Sequence, residues 1–421
     1  MERSLGDHAF SRVDVSSLAN PSEIIVEKVA LNWTLDFEAQ SIHGSVALSA
    51  RVVTEGAKHI CLDSRDLQIL EVRVDGEEST LTLDPPHAAL GVRISIPTPE
   101  HRRSEGDLIE IMISYSTSPH ASAVQWLPAA ATSGKEHPFV FTQSQAIHAR
   151  SLFPCQDSPG VKHTYTAAVE APSWCTVLMS ALSIGIEPGK EGSRTHSWSQ
   201  PVPVAPYLIA LAAGDLRSSD VSERVRVWAE PSIVDAAAFE FAETETFLAA
   251  AESLTLPYAW GRYDVLCLPP SFPYGGMENP CLTFATPTLL AGDRSLADVI
   301  AHEIAHSWAG NLVTNATWEH FWLNEGLTVW LERKIVARTK GTAHALLSAQ
   351  IGLQHLKDDL VRLPPDFSQL VWKLTADCDP DDAFSSVPYE KVIQCLETLS
   401  CHILYCTFLC STDYEDQKFL L

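Results

Sequence analysis

The sequence is short of positive charge. Its 421 residues carry 29 Lys and Arg against 53 Asp and Glu, a formal net charge of −24 at pH 7. A nucleic-acid partner needs a basic face that displaces condensed counterions, so that class of function is excluded. None of the ten cysteines falls in a CxxC spacing, which fits free thiols in a reducing compartment. The first residues, Met1-Glu2-Arg3-Ser4-Leu5-Gly6-Asp7, lack the apolar core of a secretory leader, so a cytoplasmic location is expected. Internal repeats and low-complexity tracts are absent. Runs long enough to cross a bilayer are scarce as well. Val392 to Cys410 approaches the length, but Gln394, Glu397 and His402 interrupt it, so no membrane span is expected. Its four cysteines match no zinc-ribbon spacing, and a short helix packing on the second domain is the expected reading.

What is present is a globular composition, 46% hydrophobic and 19% charged, on a chain long enough for two or three domains. From about Ile24 to Tyr115 the apolar residues alternate. Leu31, Trp33, Leu35 and Phe37 form one such row, Val46, Leu48, Ala50 and Val52 a second, and Ile109, Ile111, Ile113 and Tyr115 a third. Period two marks half-buried strands, and breaks at Asp75-Gly76, Pro85-Pro86 and Gly106-Asp107 separate them. Antiparallel sheets in a sandwich or saddle are expected over residues 1–215, with further strands at Val161–Val169 and Tyr207–Ala212. Beyond about Gly214 the period lengthens. A helix is expected over Ile233–Leu254, a strand over Asp264–Leu268 and helices through Thr342–Leu363. The fold class is therefore α+β multidomain, an all-β domain at 1–215 followed by a mainly α domain at 216–391 and an apolar, Cys-rich tail at 392–421.

The chemistry is concentrated between Val299 and Glu325. His302-Glu303-Ile304-Ala305-His306 places two imidazoles four apart, about 40° around a helix and about 6 Å along it, so both can reach one metal ion. Glu325, after eighteen intervening residues, is the natural third ligand. Three protein ligands leave the fourth position of a zinc site open for water, and Glu303 is placed to take that water's proton. Leu296, Val299, Ile300, Ile304 and Trp308 recur at helical spacing, Asp293 or Ser295 can cap the start, and Gly310-Asn311 can end it. A second helix from about Trp318 to Arg338 would return Glu325 to the histidines. The plainer alternative is a buried amphipathic helix that happens to carry two histidines. Upstream, the glycines of Tyr274-Gly275-Gly276-Met277-Glu278-Asn279 let backbone approach a ligand closely, and Glu278 could neutralise an ammonium group or be an ordinary surface acid. By spacing alone, Tyr389 is one of nine tyrosines.

In this order, Gly275-Gly276-Met277-Glu278-Asn279, HExxH-x18-E at 302–325 and Pro388-Tyr389-Glu390-Lys391 resemble the gluzincin aminopeptidases. Gln143-Ser144-Gln145-Ala146-Ile147-His148, Pro154-Cys155-Gln156-Asp157 and Leu268-Pro269-Pro270-Ser271-Phe272-Pro273-Tyr274 are similar to the leukotriene A-4 hydrolase branch of that family. The resemblance covers roughly Ile24 to Lys391. It implies a β saddle followed by a thermolysin-like zinc-peptidase domain. His302, His306 and Glu325 would bind one zinc ion, Glu303 would act as general base and acid, and Tyr389 would stabilise the tetrahedral intermediate. Glu278, helped by Gln145, would hold the free amino group of a peptide. Gln143, Tyr274, Gly275, Gly276 and Met277 would line the substrate, with the glycines and Met277 pairing to its backbone. Asp381 takes the place of an aspartate that directs water onto a fatty-acid epoxide, which makes a lipid epoxide a second implied substrate class.

Two positions depart from the family pattern. Phe384 stands where the vertebrate hydrolase has tyrosine, and Val392 follows Lys391 where the family has glycine and continues into a helical C-terminal domain. A catalytic domain without its last part is therefore expected, and a truncated form that binds or regulates without turnover is the alternative reading.

Overall fold

In the computed structural model, which describes residues 14–393, the period-two segments become long strands. An eight-stranded sheet runs in the order Leu182–Pro188, Ser193–Val204, His163–Pro172, Ile24–Asp36, Ser41–Val52, Leu108–Thr117, Leu67–Val74, Glu77–Glu78. Leu31, Trp33 and Leu35 are buried on one face while Asn32 and Thr34 stay exposed, the pattern of a sheet with one face on a core. Asn32 to Trp33 lies so close to Gly44 that a side chain there would strike the carbonyl oxygen of Asn32. A four-stranded sheet (Thr176–Met179, Leu211–Gly214, Phe139–Thr142, Val124–Leu127) and a three-stranded one (His59–Ser64, Val92–Pro97, Thr82–Leu83) complete the β-rich part.

Antiparallel pairing dominates in the β-rich part, with one exception. Ile24–Asp36 and His163–Pro172 run parallel, Lys28 opposite Thr164 through Thr34 opposite Glu170. More than a hundred residues separate the two strands, enough chain to return in the same direction. The expected strand at Tyr207–Ala212 is instead a 3-10 turn at Pro206–Leu208 followed by the strand Leu211–Gly214. Pro206 sits at the start of that turn, where its fixed φ suits the turn and its missing N–H costs nothing.

The second part is helical but not purely so. Its mixed sheet runs Arg217–Asp220, Val225–Ala229, Tyr263–Cys267, Leu282–Ala285, Gly276–Met277. The helices are α1 (Val234–Glu240), α2 (Thr244–Leu254), α3 (Asp298–His306), α4 (Trp322–Thr339) and α5 (Thr342–Arg362). The single helix expected over Ile233–Leu254 is thus two. Phe241, at the break, is buried, and Glu240 accepts a hydrogen bond from the Gly292 N–H. Start and end of α3 also differ from expectation. Its N-cap is Ala297, Asp293 instead accepts from the Ser295 N–H in the preceding loop, and the helix stops at His306 before Gly310-Asn311 is reached. A core of α1–α4 residues with Val225, Val227, Tyr263 and Val265 fixes α3 against the sheet. The short strand Gly276–Met277 lies at the sheet edge beside α3, so the glycine-rich segment faces the helix that carries the histidines. The residues at 394–421, including the expected tail helix, lie outside those described.

Candidate active site

On α3, Ile300, Ala301, Ile304 and Ala305 are buried in the core, which turns His302, Glu303 and His306 toward α4 and the sheet edge. Gly310, with φ +125°, lets the chain double back beneath His306; a Cβ there would press on the imidazole Nδ1. The chain then passes through a 3-10 turn at Trp318–His320 into α4, whose first turn presents Glu325.

His302 Nε2 and His306 Nε2 lie 3.1 Å apart. Glu325 Oε2 is 3.4 Å from the first and 3.3 Å from the second. These three edges fit a metal site, because ligands about 2.0–2.1 Å from a tetrahedral centre stand about 3.3–3.4 Å from one another. Apart from these two imidazoles, the buried Glu325 Oε2 meets no hydrogen-bond donor. The outer nitrogens of the histidines are both engaged. His302 Nδ1 meets Glu332 Oε2 at 2.9 Å, and His306 Nδ1 meets the Ala309 carbonyl at 3.0 Å and Thr328 Oγ1 at 3.1 Å. An Nδ1–H donated to these oxygens leaves each Nε2 lone pair aimed at the centre.

The electrostatics agree. Burial would lower both histidine pKa values, yet hydrogen bonds to Glu325 and Glu332 hold His302 well above its ordinary range, and Glu278 and Glu325 hold His306 up at about 9. Burial would raise Glu325, but His306 and the two imidazole hydrogen bonds bring it down to about 2. The cluster therefore attracts positive charge. Protons supply it when no cation is bound, and a metal would displace them.

Glu303 is 5% exposed and its Oε2 has no hydrogen-bond partner. Burial, with Glu278 and Glu325 adding to it against the two histidines, pushes its carboxyl up to about 8. Gly276 lies against it so closely that a Cβ would collide with the carboxylate, which is where the glycine is required. Glu278 is buried too, and burial raises its pKa against the pull of His306. Gln145 Nε2 donates to Glu278 Oε1 at 3.4 Å, and Asn311 Nδ2 donates to the Glu278 carbonyl at 2.7 Å. Tyr389 stands on helical residues 387–393, its ring 6.1 Å from that of His302. Burial and the carboxylates of Glu325, Glu278 and Glu303 hold its hydroxyl well above the ordinary phenol range, so it stays a donor. The helical turn is anchored by Glu390, which receives two hydrogen bonds from Arg333 Nη2 at 2.7 and 3.0 Å.

His302, His306, Glu325, Glu303, Glu278, Glu332 and Tyr389 line a cleft of about 480 Å³ that also includes Gln145, Tyr274, Gly275, Met277, Leu296, Val299 and Phe384. Two expected substrate residues stand just outside this lining. Gln143 donates from Nε2 to Met277 Sδ at 3.1 Å, behind the wall. Asp381 is held by His148 Nε2 at 2.8 Å and the Ala146 N–H at 3.2 Å, and neither it nor Gln143 lines this cleft. Phe384 packs on Phe321 and Trp372. Sequence reasoning missed Glu332 and Thr328, although their spacings of seven and three from Glu325 place them on the same helix face.

Comparison with known proteins agrees with this architecture. Residues 26–208 match the peptidase M1 N-terminal domain and residues 238–408 the peptidase family M1 domain. Leukotriene A-4 hydrolase of Xenopus laevis is 45% identical over 389 residues, covering 90% of this chain and 62% of that protein. Leucine aminopeptidase 2 of Aspergillus niger is 44% identical over 385 residues, again 90% and 62%. A solved structure of yeast LTA4 hydrolase in complex with bestatin superposes with a TM-score of 0.87 at 41% identity, covering 95% of this chain and 62% of that one. The chain thus spans about 62% of the length of these relatives.

Proposed function

The chain belongs to the peptidase M1 family, and from that premise we propose that it is a zinc aminopeptidase, removing the first residue of peptides with a free N-terminus. The observation that carries the reading is the triangle of His302, His306 and Glu325, with an unpartnered Glu303 carboxylate beside it and a buried Glu278 at the end of the same cleft. His302, His306 and Glu325 would hold zinc. When bound, zinc supplies a Lewis acid that makes a water acidic and polarises a carbonyl.

The protein's own groups do the rest. Glu303, buried beside the three ligands with a carboxylate oxygen free of hydrogen bonds, accepts the proton of the attacking water and returns it to the leaving amine. The Tyr389 hydroxyl donates to the oxyanion that forms at the scissile carbonyl. Glu278, with Gln145 beside it, takes the substrate's ammonium group, so that only the first peptide bond reaches Glu303. Gly275 and Gly276 allow the substrate backbone to lie against the sheet edge, and the apolar side chains of Leu296, Val299 and Phe384 surround the residue being cut.

Rates on an aminoacyl anilide and its N-acetylated counterpart test the exopeptidase part. The unblocked substrate is expected to be strongly preferred, and Glu278→Gln to erase most of that preference. Equal rates on both substrates by the unaltered protein would remove Glu278 from its role. The lipid epoxide remains a second substrate class to assay, with Asp381→Asn as the variant that should affect it alone.

A further inference from the structure

A second cavity of about 390 Å³ lies where the β-rich part meets the mixed sheet, lined from Thr176–Met179 and the strands beyond it on one side and from Val225–Ala229 and Tyr263–Cys267 on the other. None of its residues lines the zinc cleft. Its volume is within the range of about 300–1,000 Å³ usual for small-molecule sites. Met179, Leu182 and Leu282 make it apolar, and two indoles, Trp198 and Trp228, add aromatic surface.

The polar groups are unusual for this protein. With 53 acidic residues against 29 basic ones, a lining of two guanidinium groups and a single carboxylate runs against the overall balance. Asp264, that carboxylate, is already committed: it accepts from Arg262 Nη2 at 3.0 Å and from Trp228 Nε1 at 3.0 Å. Arg226 lies over the Trp228 ring, its carbon 5.6 Å from the centroid. Its Nε is paired with Asp220 at 2.5 Å, but Asp220 is 68% exposed and is not part of the lining. The terminal nitrogens of Arg226 make no hydrogen bond among the described residues. Trp198 is only 7% exposed, and its indole N–H has no acceptor. Leaving a buried donor unpaired is costly, and a ligand acceptor would remove that cost.

We propose that this cavity is a second ligand site, for a small aromatic carboxylate. The ring stacks among the indoles and apolar side chains, and the carboxylate accepts from the free end of Arg226 and from Trp198. The terminal nitrogens of Arg226, left free by the Asp220 pair at its Nε, offer donors for one carboxylate, and charge-assisted bonds of this kind fix orientation. The site is independent of the reading given to the zinc cleft.

Isothermal titration with 2-naphthoate tests it. One molecule is expected to bind per chain. Affinity should fall at least tenfold for Arg226→Gln, for Trp198→Phe, and for the neutral probe 2-naphthamide on the unaltered protein. Val299→Trp, which fills the zinc cleft, should leave the naphthoate affinity unchanged. Absence of saturable binding, equal binding of the amide, or loss of binding in Val299→Trp would each overturn the proposal. The amide and Val299→Trp arms decide it even if a cavity variant fails to fold.

Discussion

Among individual residues, Glu332 makes a contact with the site that the sequence hid, as does Thr328. A carboxylate seven positions after Glu325 on an amphipathic helix reads as a surface acid, and only the fold brings it within 2.9 Å of His302 Nδ1. Outer partners of metal-binding histidines typically change metal affinity by about 10–100-fold when removed. Glu332→Gln is therefore expected to weaken zinc by about that factor in a chelator competition, with the unfolding temperature of the metal-free protein little altered. Unchanged affinity would reduce Glu332 to a surface contact. By contrast, the grouping of His302, Glu303, His306 and Glu325 was legible because spacing on a helix is a local property. Tyr389 and Glu278 were not, since each needs the fold to reach the cleft; only their likeness to a known family singled them out.

For whole elements, the helical residues 387–393 are held by a buried ion pair together with packing of Val392 and Ile393 on Val329. Arg333 on α4 and Glu390 have side chains 8% and 10% exposed, and Gly352 on α5 has no room for a Cβ beside the Glu390 carboxylate. Breaking such a pair leaves a buried charge, at a cost of about 3–5 kcal/mol. Glu390→Ala should lower urea stability by about that amount and reduce turnover by displacing Tyr389. Asp215→Ala, which breaks the more exposed pair with Arg217, should cost about 1 kcal/mol or less. Equal effects would mean that the 387–393 turn is held by packing alone. Strands such as Ile24–Asp36 were readable from alternation. The break between α1 and α2 was not, because Ala and Glu continue helical propensity through it while burial of Phe241 and the Glu240 contact to Gly292 decide the geometry. The parallel pairing with His163–Pro172 was equally hidden, since register between distant strands leaves no local mark.

Across the whole molecule, acid should destabilise the β-rich part through His163. Burial lowers its pKa from 6.5 to about 4. The unfolded chain then binds this proton more readily than the folded one, so the stabilising contribution is complete above about pH 6.5 and lost as pH falls toward 4. At about 1.4 kcal/mol per unit the loss comes to about 3.5 kcal/mol. Denaturation midpoints across that window should fall with pH, and a His163→Gln variant should fall less steeply; parallel slopes would assign the acid sensitivity to other groups. The division into a β-rich part and a later helical part followed from the change of period near Gly214, but the mixed sheet of the second part did not. Its strands are short, two to five residues, too brief for periodicity to separate them from loops.

The most direct measurement is bound zinc together with hydrolysis of an aminoacyl anilide, made side by side on this chain and on Glu303→Gln. One zinc per chain is expected in both. Hydrolysis is expected in the first and to be reduced by about 10²–10⁴-fold in the second. Zinc absent from the purified protein, or hydrolysis undiminished by Glu303→Gln, would contradict the assignment of this cleft as a metallopeptidase site.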